Sequence, residues 1–425
     1  MNQIASENAP SPKVVVPHYI FGGLTLLVIS LLVVFHPGAF TQHYFNPKLL
    51  AISHLLALGW ISMIIFGALY QLLPVILEVK LYSEILAKLS FVLLSTGTIL
   101  LAFSFWRFSF DYLMFIAGSS VVTSVALFVV NTLKTAYTTQ KKIVERIFII
   151  SSAYWLLFTV SAGLTLALNL AYPFLKVPHT ELLKLHAHAG IAGWFLQLII
   201  GVSTRLLPMF MVTHNLKAKK LYYTFFAVNL GLIAGLVSLY LQIKTGVVVS
   251  ALLIVSGIIV YLLFLIAAYK NRVKKQLDIG MKLSALSYAI LVIPLFLIFV
   301  LLFDSRLSIT LTMPLSIAYG SAIILGFITS LVMGQTYKTL PFIVWLKVYR
   351  GKVGKVILPL PKDLYFEKVA VAQTWFFAIG FAVLLSGISA ATEKLVMAGG
   401  IVLLLSVALY NFNIFKIVFH KPKSK

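Results

Sequence analysis

Three histidines lie inside long apolar segments of the chain, and two of them open copies of one repeated pattern. The pattern reads His-x4-Gly-Trp-x6-Gly-x4-Leu-Leu-Pro and begins at His54. It returns without a gap 134 residues later at His188, two residues after His186. A third copy, 133 residues further on, begins with Ser321 instead of histidine. Internal repeats set the architecture of a chain, and the change from histidine to serine indicates which copies carry chemistry.

Neutral imidazole binds heme iron, copper and zinc through one ring nitrogen, while the other nitrogen needs a partner that holds the ring. A histidine within a membrane span is costly and indicates function. The alternative is an interhelical hydrogen bond, or a ring that reaches the interface. His186 and His188 are ~200° apart on an α-helix. They therefore predict either two separate centres, or one ligand whose neighbour faces another helix.

The elements that must position these residues are membrane helices. Of the 425 residues, 61% are hydrophobic and 11% are charged, too few for the surface of a soluble globule. Uncharged runs are long enough to cross ~30 Å of hydrocarbon. They predict twelve spans, centred near residues 26, 63, 97, 122, 160, 197, 231, 258, 292, 327, 379 and 407. We expect no cleavable leader, and the lack of cysteine excludes disulfides and thiolate ligands.

The net charge of +23 is explained by topology. Lysine and arginine concentrate in the loops after even-numbered spans, and the positive-inside rule places those loops and both termini in the cytoplasm. The same charge attracts anionic headgroups. We therefore expect an integral protein of a bacterial inner (cytoplasmic) membrane, with the lipid bilayer as its partner and no nucleic acid.

The pattern falls on spans 2, 6 and 10, which predicts three four-helix repeats: residues 14–145, 146–280 and 281–425. Residues 1–13 are predicted to be a polar tail. Residues 14–425 are predicted to form a single transmembrane domain, because a lone repeat would expose its glycine-rich face to lipid. In this topology the three intramembrane histidines lie in the outer third of the membrane.

This arrangement resembles subunit I of heme-copper oxidases and nitric oxide reductases, whose twelve helices form three groups of four. The stretch from His54 to Pro74 is similar to that family's second helix, whose histidine binds the low-spin heme. His188 and the following Gly193-Trp194 resemble its sixth helix, whose histidine binds the non-heme metal. The resemblance implies an all-α membrane protein with a cytochrome c oxidase subunit I-like fold.

The chain departs from that family at two helices. The family has a His-x-His on its tenth helix and a histidine pair at its seventh. Here span 10 has Ser321 at the repeat position, and neither span 10 nor span 7 contains a histidine. A two-heme and copper centre cannot be assembled from this chain alone. The His-x-His at 186–188 is also similar to NnrS-type membrane proteins, which are linked to heme, copper and nitric oxide stress, so a divergent member of that kind is expected.

The family's symmetry suggests which cofactor site remains. One heme of the family lies between helices 10 and 2, held by a histidine from each. Rotated by one repeat, the equivalent pocket lies between spans 2 and 6. The resulting hypothesis is a bis-histidine heme, or a copper ion, bound by His54 and either His186 or His188. The competing expectation is a pocket filled by aromatic and aliphatic side chains.

The expected function is a heme- and/or copper-binding redox protein with a role in respiration or nitric oxide chemistry. If it is an enzyme, it is an oxidoreductase of the family's type, and no catalytic residue is assigned. Another membrane subunit or a cytochrome would supply electrons. The alternatives are a metal-free transporter or channel that uses the same fold, and a structural subunit of a larger complex.

The remaining polar residues predict less. All eleven carboxylates lie outside the spans or at their edges, which gives proton pumping little support. Gln71, Arg205 and Lys338 share one repeat position, where they either reach headgroups or form a polar entrance. The histidines near span ends are expected at the interface: His18, His36, His43, His179 and His420.

Overall fold

The computed structural model describes residues 8–140, 143–214, 216–303, 309–352 and 358–422. Within these ranges the chain is helical and contains no strand. In the described part of the chain, twelve helices are long and apolar enough to cross a membrane. The prediction of an all-α protein with twelve spans is confirmed, and every predicted centre lies inside one of these helices.

The membrane helices are numbered α1 to α12 in chain order. Their bounds are Pro12–Phe35, Pro47–Leu77, Glu84–Arg107, Tyr112–Tyr137, Val144–Ala171, His179–Met211, Ala218–Tyr240, Lys244–Lys270, Ile279–Phe303, Leu311–Tyr349, Glu367–Ser389 and Glu393–Val418. Short 3₁₀ turns occupy Pro37–Phe40, Arg350–Lys352 and Pro361–Leu364. The first helix begins within a residue or two of the predicted end of the polar tail, which is the usual accuracy of a helix boundary.

Contacts between Cα atoms divide the chain into two compact units, which are described separately. The central unit is built from residues 72–97 and 110–277. The terminal unit is built from residues 10–71, 98–109 and the described part of 278–425. The central unit therefore holds His186 and His188, and the terminal unit holds His54 and Ser321. The single domain and the three repeat boundaries stay predictions.

Side-chain caps explain where several helices begin. The Asn46 side-chain oxygen accepts the Leu49 N–H at 2.9 Å, and the next residue is a proline at the first helical position. Asp278 caps α9 in the same way, accepting the Met281 N–H at 3.1 Å. Such caps satisfy N–H groups that have no partner within the helix. The start of α2, which sets the depth of His54, is therefore encoded locally.

Each copy of the repeated pattern contains a π-helical segment that begins one residue after its first position. The segments are Leu55–Ser62, Ala189–Leu196 and Ala322–Ile328. A π segment widens the helix, and such segments are frequent at functional sites. The sequence pattern did not predict them. They occur at the same register in all three copies, including the one that begins with serine.

The glycine of each π segment receives a side chain from a neighbouring helix. A Cβ at Gly59 would lie 2.7 Å from the Thr25 Cγ2 atom, and one at Gly193 would lie 2.7 Å from the Trp155 Cγ atom. A Cβ at Gly326 would lie 2.5 Å from the Phe381 Cζ atom. The conserved spacing of the pattern thus has a packing cause. In each widened turn, a side chain from a neighbouring helix fills the space that the Cβ of a larger residue would take at the glycine.

The packing of α11 on α12 depends on a close approach at Gly380. A Cβ there would lie 2.8 Å from the backbone nitrogen of Leu403 and 3.1 Å from the carbonyl oxygen of Gly399. Backbone atoms cannot move aside as a flexible side chain does. The two helices therefore require glycine at this position.

We expect Gly380→Ala to destabilise the protein by about 1–3 kcal/mol, the usual cost of overpacking a well-packed site. The measurement is the thermal unfolding midpoint of the purified protein in one detergent. Gly320→Ala is the matched control, because a Cβ at Gly320 meets nothing within 4 Å. Equal midpoints for the two variants would contradict the close approach of α11 to α12.

Candidate functional site

His54 is held by two contacts within the terminal unit. It is the last residue of α2 before the π segment, and its side chain is half-buried. Its Nδ1 donates to the carbonyl oxygen of Leu50 at 2.7 Å. The imidazole stacks on Phe105 of α3, with ring centroids 4.5 Å apart and planes inclined by 30°. Together these contacts fix both the tilt and the rotation of the ring.

His188 repeats this arrangement in the central unit. It precedes the π segment of α6, and its Nδ1 donates to the carbonyl oxygen of Lys184, four residues earlier, at 2.8 Å. The Lys184 ammonium donates to a Glu181 carboxylate oxygen at 2.7 Å. The sequence repeat is therefore also a repeat of side-chain geometry, since both histidines bond the carbonyl one turn back.

His186 is held by a different helix. Its Nδ1 donates to the carbonyl oxygen of Thr159 on α5 at 3.0 Å. A Cβ at Gly163, one turn further along α5, would lie 2.9 Å from the Cε1 atom of this ring. The i, i+2 spacing predicted that the two imidazoles of α6 would not share one orientation. Consistent with that expectation, α5 holds His186 while α6 itself holds His188.

The three hydrogen bonds specify one tautomer. A carbonyl oxygen can only accept, so the Nδ1 atom of each ring carries the proton and the lone pair lies on Nε2 in the neutral form. A neutral imidazole whose second nitrogen donates to a backbone carbonyl is the form in which histidine usually binds metals. His54, His186 and His188 thus have the chemistry of ligands that bind through Nε2.

The donor set fits heme better than a metal ion bound by protein atoms alone. Protein-bound copper and zinc take three or four ligands from side chains. Among the described residues, no group of three or more His, Cys, Asp or Glu side chains lies close enough to hold such an ion. Heme iron is already held by its macrocycle and needs only one or two axial ligands from the protein. Separate histidines with fixed rings meet that smaller requirement.

The predicted pairing of His54 with His186 or His188 stays a prediction, because His54 belongs to the terminal unit and the other two belong to the central unit.

The three residues at the repeat position of Gln71 have different surroundings. Gln71 is buried, Arg205 is exposed, and Lys338 forms a 2.7 Å ion pair with Asp278. Within the terminal unit, Lys338 therefore joins α10 to α9.

His18 was expected at the interface, and this prediction was wrong. His18 belongs to α1, and its side chain is fully buried within the protein. A Cβ at Gly67 would lie 2.6 Å from the His18 Cβ, and the His18 and Tyr70 rings meet edge to face at 5.8 Å. The ring packs where the second glycine of the repeated pattern leaves room on α2. That glycine was the available sequence signal, but nothing in the pattern names its partner.

His36 lies directly after α1 and contacts residues of α2 and α3. Lys48 Nζ donates to His36 Nδ1 at 3.0 Å, and the His36 ring meets Trp106 edge to face at 4.9 Å. Partial burial and then the positive charge of Lys48 lower the pKa of His36 below its usual 6.5. His36 is therefore neutral at pH 7, and its proton acceptor is already bonded to lysine.

No family model and no curated protein sequence matches the chain. The fold, however, is similar to that of a chain in a heme-copper terminal oxidase dimer determined by cryo-EM, with a TM-score of 0.64 and 12% sequence identity. The match covers 100% of this chain and 85% of that chain. At this identity the similarity shows the fold alone. It confirms the predicted heme-copper oxidase subunit I-like architecture.

We expect nitrogen NMR of histidine-labelled protein in bilayers to show His54, His186 and His188 as Nδ1–H tautomers, because each Nδ1 donates to a carbonyl. His43 is the internal control: its Nδ1 accepts the Phe45 N–H at 3.0 Å, so it must be the Nε2–H tautomer when neutral. The spectra are recorded above pH 8. Single histidine-to-glutamine variants assign the signals, and an Nε2–H signal from His54 or His188 would refute the shared geometry.

Proposed function

We propose that the protein binds heme through histidine on α2 and α6 and serves a redox function in the membrane. The observation that carries this proposal is the shared geometry of His54 and His188. Both precede a π segment, and both donate Nδ1–H to the carbonyl one turn back. Two rings held in the same way at one repeat register carry the Nε2 lone pair in the same orientation relative to their helices, which supports a shared ligand role.

Heme, when bound, supplies one-electron exchange between ferric and ferrous iron. The chain's own residues would orient the imidazoles that hold the heme and shield them from water. Phe105 would restrict the rotation of His54, and the carbonyl of Leu50 would raise the basicity of its Nε2 by accepting the Nδ1 proton. Copper is the weaker candidate, since the described residues supply no cluster of three ligands.

Oxygen reduction is not part of the proposal. The residues of α7 and α10 contain no histidine, so the chain lacks the donors with which subunit I of the oxidases holds its second heme and copper. A single heme held by histidines from the set His54, His186 and His188 could still support electron transfer or a nitric-oxide-related reaction. A cytochrome or a second membrane subunit is proposed as the electron donor, and a bacterial inner membrane with cytoplasmic termini as the location.

The test is the absorption spectrum of the detergent-purified protein, oxidised and reduced with dithionite, together with its iron and copper content. We expect a Soret band and a reduced α-band, with iron and little copper. His54→Ala and His188→Ala should each lose or shift these bands, because each removes a prepared Nε2 ligand. His186→Ala shows whether the ring held by α5 is a third ligand or a positioning residue.

His43→Ala is the control for these variants, because His43 is exposed and lies in a loop outside the membrane helices. Its spectrum should match that of the wild type. A colourless, iron-free protein expressed in heme-replete cells would refute the proposal. Transport or a structural role within a larger complex would then be the functions to test.

A further inference from the structure

A groove of about 650 Å³ runs along the surface of the central unit between α5 and α7. Its walls are mainly apolar, and four of the lining residues are aromatic. They include Ile150, Tyr154, Trp155 and Phe158 from α5, and Phe225 and Ile233 from α7. Pockets of this size bury ligands of several hundred daltons. None of the three histidines of α2 and α6 lines the groove.

The walls of the groove belong to the N-terminal half of α5 and to residues 225–237 of α7, both of them membrane helices, so its occupant comes from the bilayer. Phe158 and Ile233 remain 49% and 51% exposed, which means that the groove opens to the side of the protein rather than into its interior. The stretch from Ile150 to Phe158 spans about 12 Å at 1.5 Å per residue. A linear hydrocarbon chain lying along the helices matches this shape.

Polar groups behind the groove are satisfied within the protein. The Asn229 side-chain oxygen accepts hydrogen bonds from Ser151 at 2.9 Å, Trp155 at 3.0 Å and Gln197 at 3.2 Å. The Asn229 amide nitrogen in turn donates to the Gln197 oxygen at 3.0 Å. Since this network is complete, an occupant of the groove needs no polar group at that depth.

The N-terminal ends of α5 and α7 provide positive charge at one end of the groove. The two ends lie side by side, since the Phe148 and Phe225 rings meet at 5.3 Å. Arg146 lies two residues before Phe148, and its Nε donates to the Ala136 carbonyl at 2.9 Å. Lys219 and Lys220 lie in the first turn of α7 and are exposed. The neighbouring carboxylate, Glu145, is buried.

We propose that this groove binds an anionic phospholipid, with one acyl chain between α5 and α7 and its phosphate beside Arg146, Lys219 and Lys220. Chain and headgroup then match the apolar walls and the basic end at the same time. A membrane quinone would use the walls but not the charges. A zwitterionic phospholipid also carries a phosphate, but its own ammonium group offsets that charge, so it would compensate less of the positive charge than an anionic phospholipid does. The positive-inside rule places this site in the cytoplasmic leaflet.

The test is native mass spectrometry of the delipidated full-length protein titrated with phosphatidylglycerol, with phosphatidylcholine as the neutral comparison. We expect phosphatidylglycerol to bind more tightly. Lys219→Gln and Lys220→Gln should each weaken its binding about fivefold, the typical effect of one basic residue near an anionic surface. Ile233→Trp should weaken both lipids, because the larger ring fills the groove.

Two variants serve as controls. Leu230→Trp places the same ring at an exposed position of α7 outside the groove, and Lys275→Gln removes an exposed charge elsewhere in the central unit. Neither should change the affinity. Equal affinity for the two lipids, or equal losses in Lys219→Gln and Lys275→Gln, would overturn the proposal. So would the recovery of a quinone, rather than a phospholipid, that is retained by the wild type and lost in Ile233→Trp.

Discussion

The structure depends first on the need to satisfy every polar group without water. Within hydrocarbon an imidazole N–H must find a carbonyl of the protein. His54 and His188 use the carbonyl one turn back on their own helix, and His186 uses that of Thr159 on α5. These bonds determine which ring nitrogen carries the proton, so the same constraint that stabilises the helices also gives the three rings one tautomer.

The π segments can be understood in the same terms. In a widened turn the backbone N–H groups donate to carbonyls one residue further back than in an α-helix. Side-chain hydroxyls can also donate to these carbonyls. In α10 the Thr329 hydroxyl donates to the carbonyl of Ile324, five residues earlier, at 2.9 Å, and accepts the indole N–H of Trp60 at 3.2 Å. Within the terminal unit, a pattern residue of the first repeat is thus bonded to the end of the third repeat's π segment.

Much of the fold could be predicted from the sequence, because hydropathy over about 20 residues determines a membrane helix almost regardless of detail. The register of the histidines followed from the fixed spacing of the pattern. The π segments could not be predicted, since the same apolar residues suit either helix type. The burial of His18 and the ion pair of Lys338 could not be predicted either. Both depend on partners in other helices, Gly67 and Asp278, that no local pattern identifies.

The third repeat shows that the π segment and the histidine of the pattern are independent features. α10 keeps the π segment and the glycine that receives Phe381, although its first position is Ser321. The widened turn therefore does not require histidine; all three copies share it together with the glycine that receives a side chain from a neighbouring helix. Histidine at that position is an addition to a backbone that all three repeats share. Function in general depends on the residues that a fold carries rather than on the fold itself, and at the repeated position this chain has histidine on α2 and α6 but serine on α10.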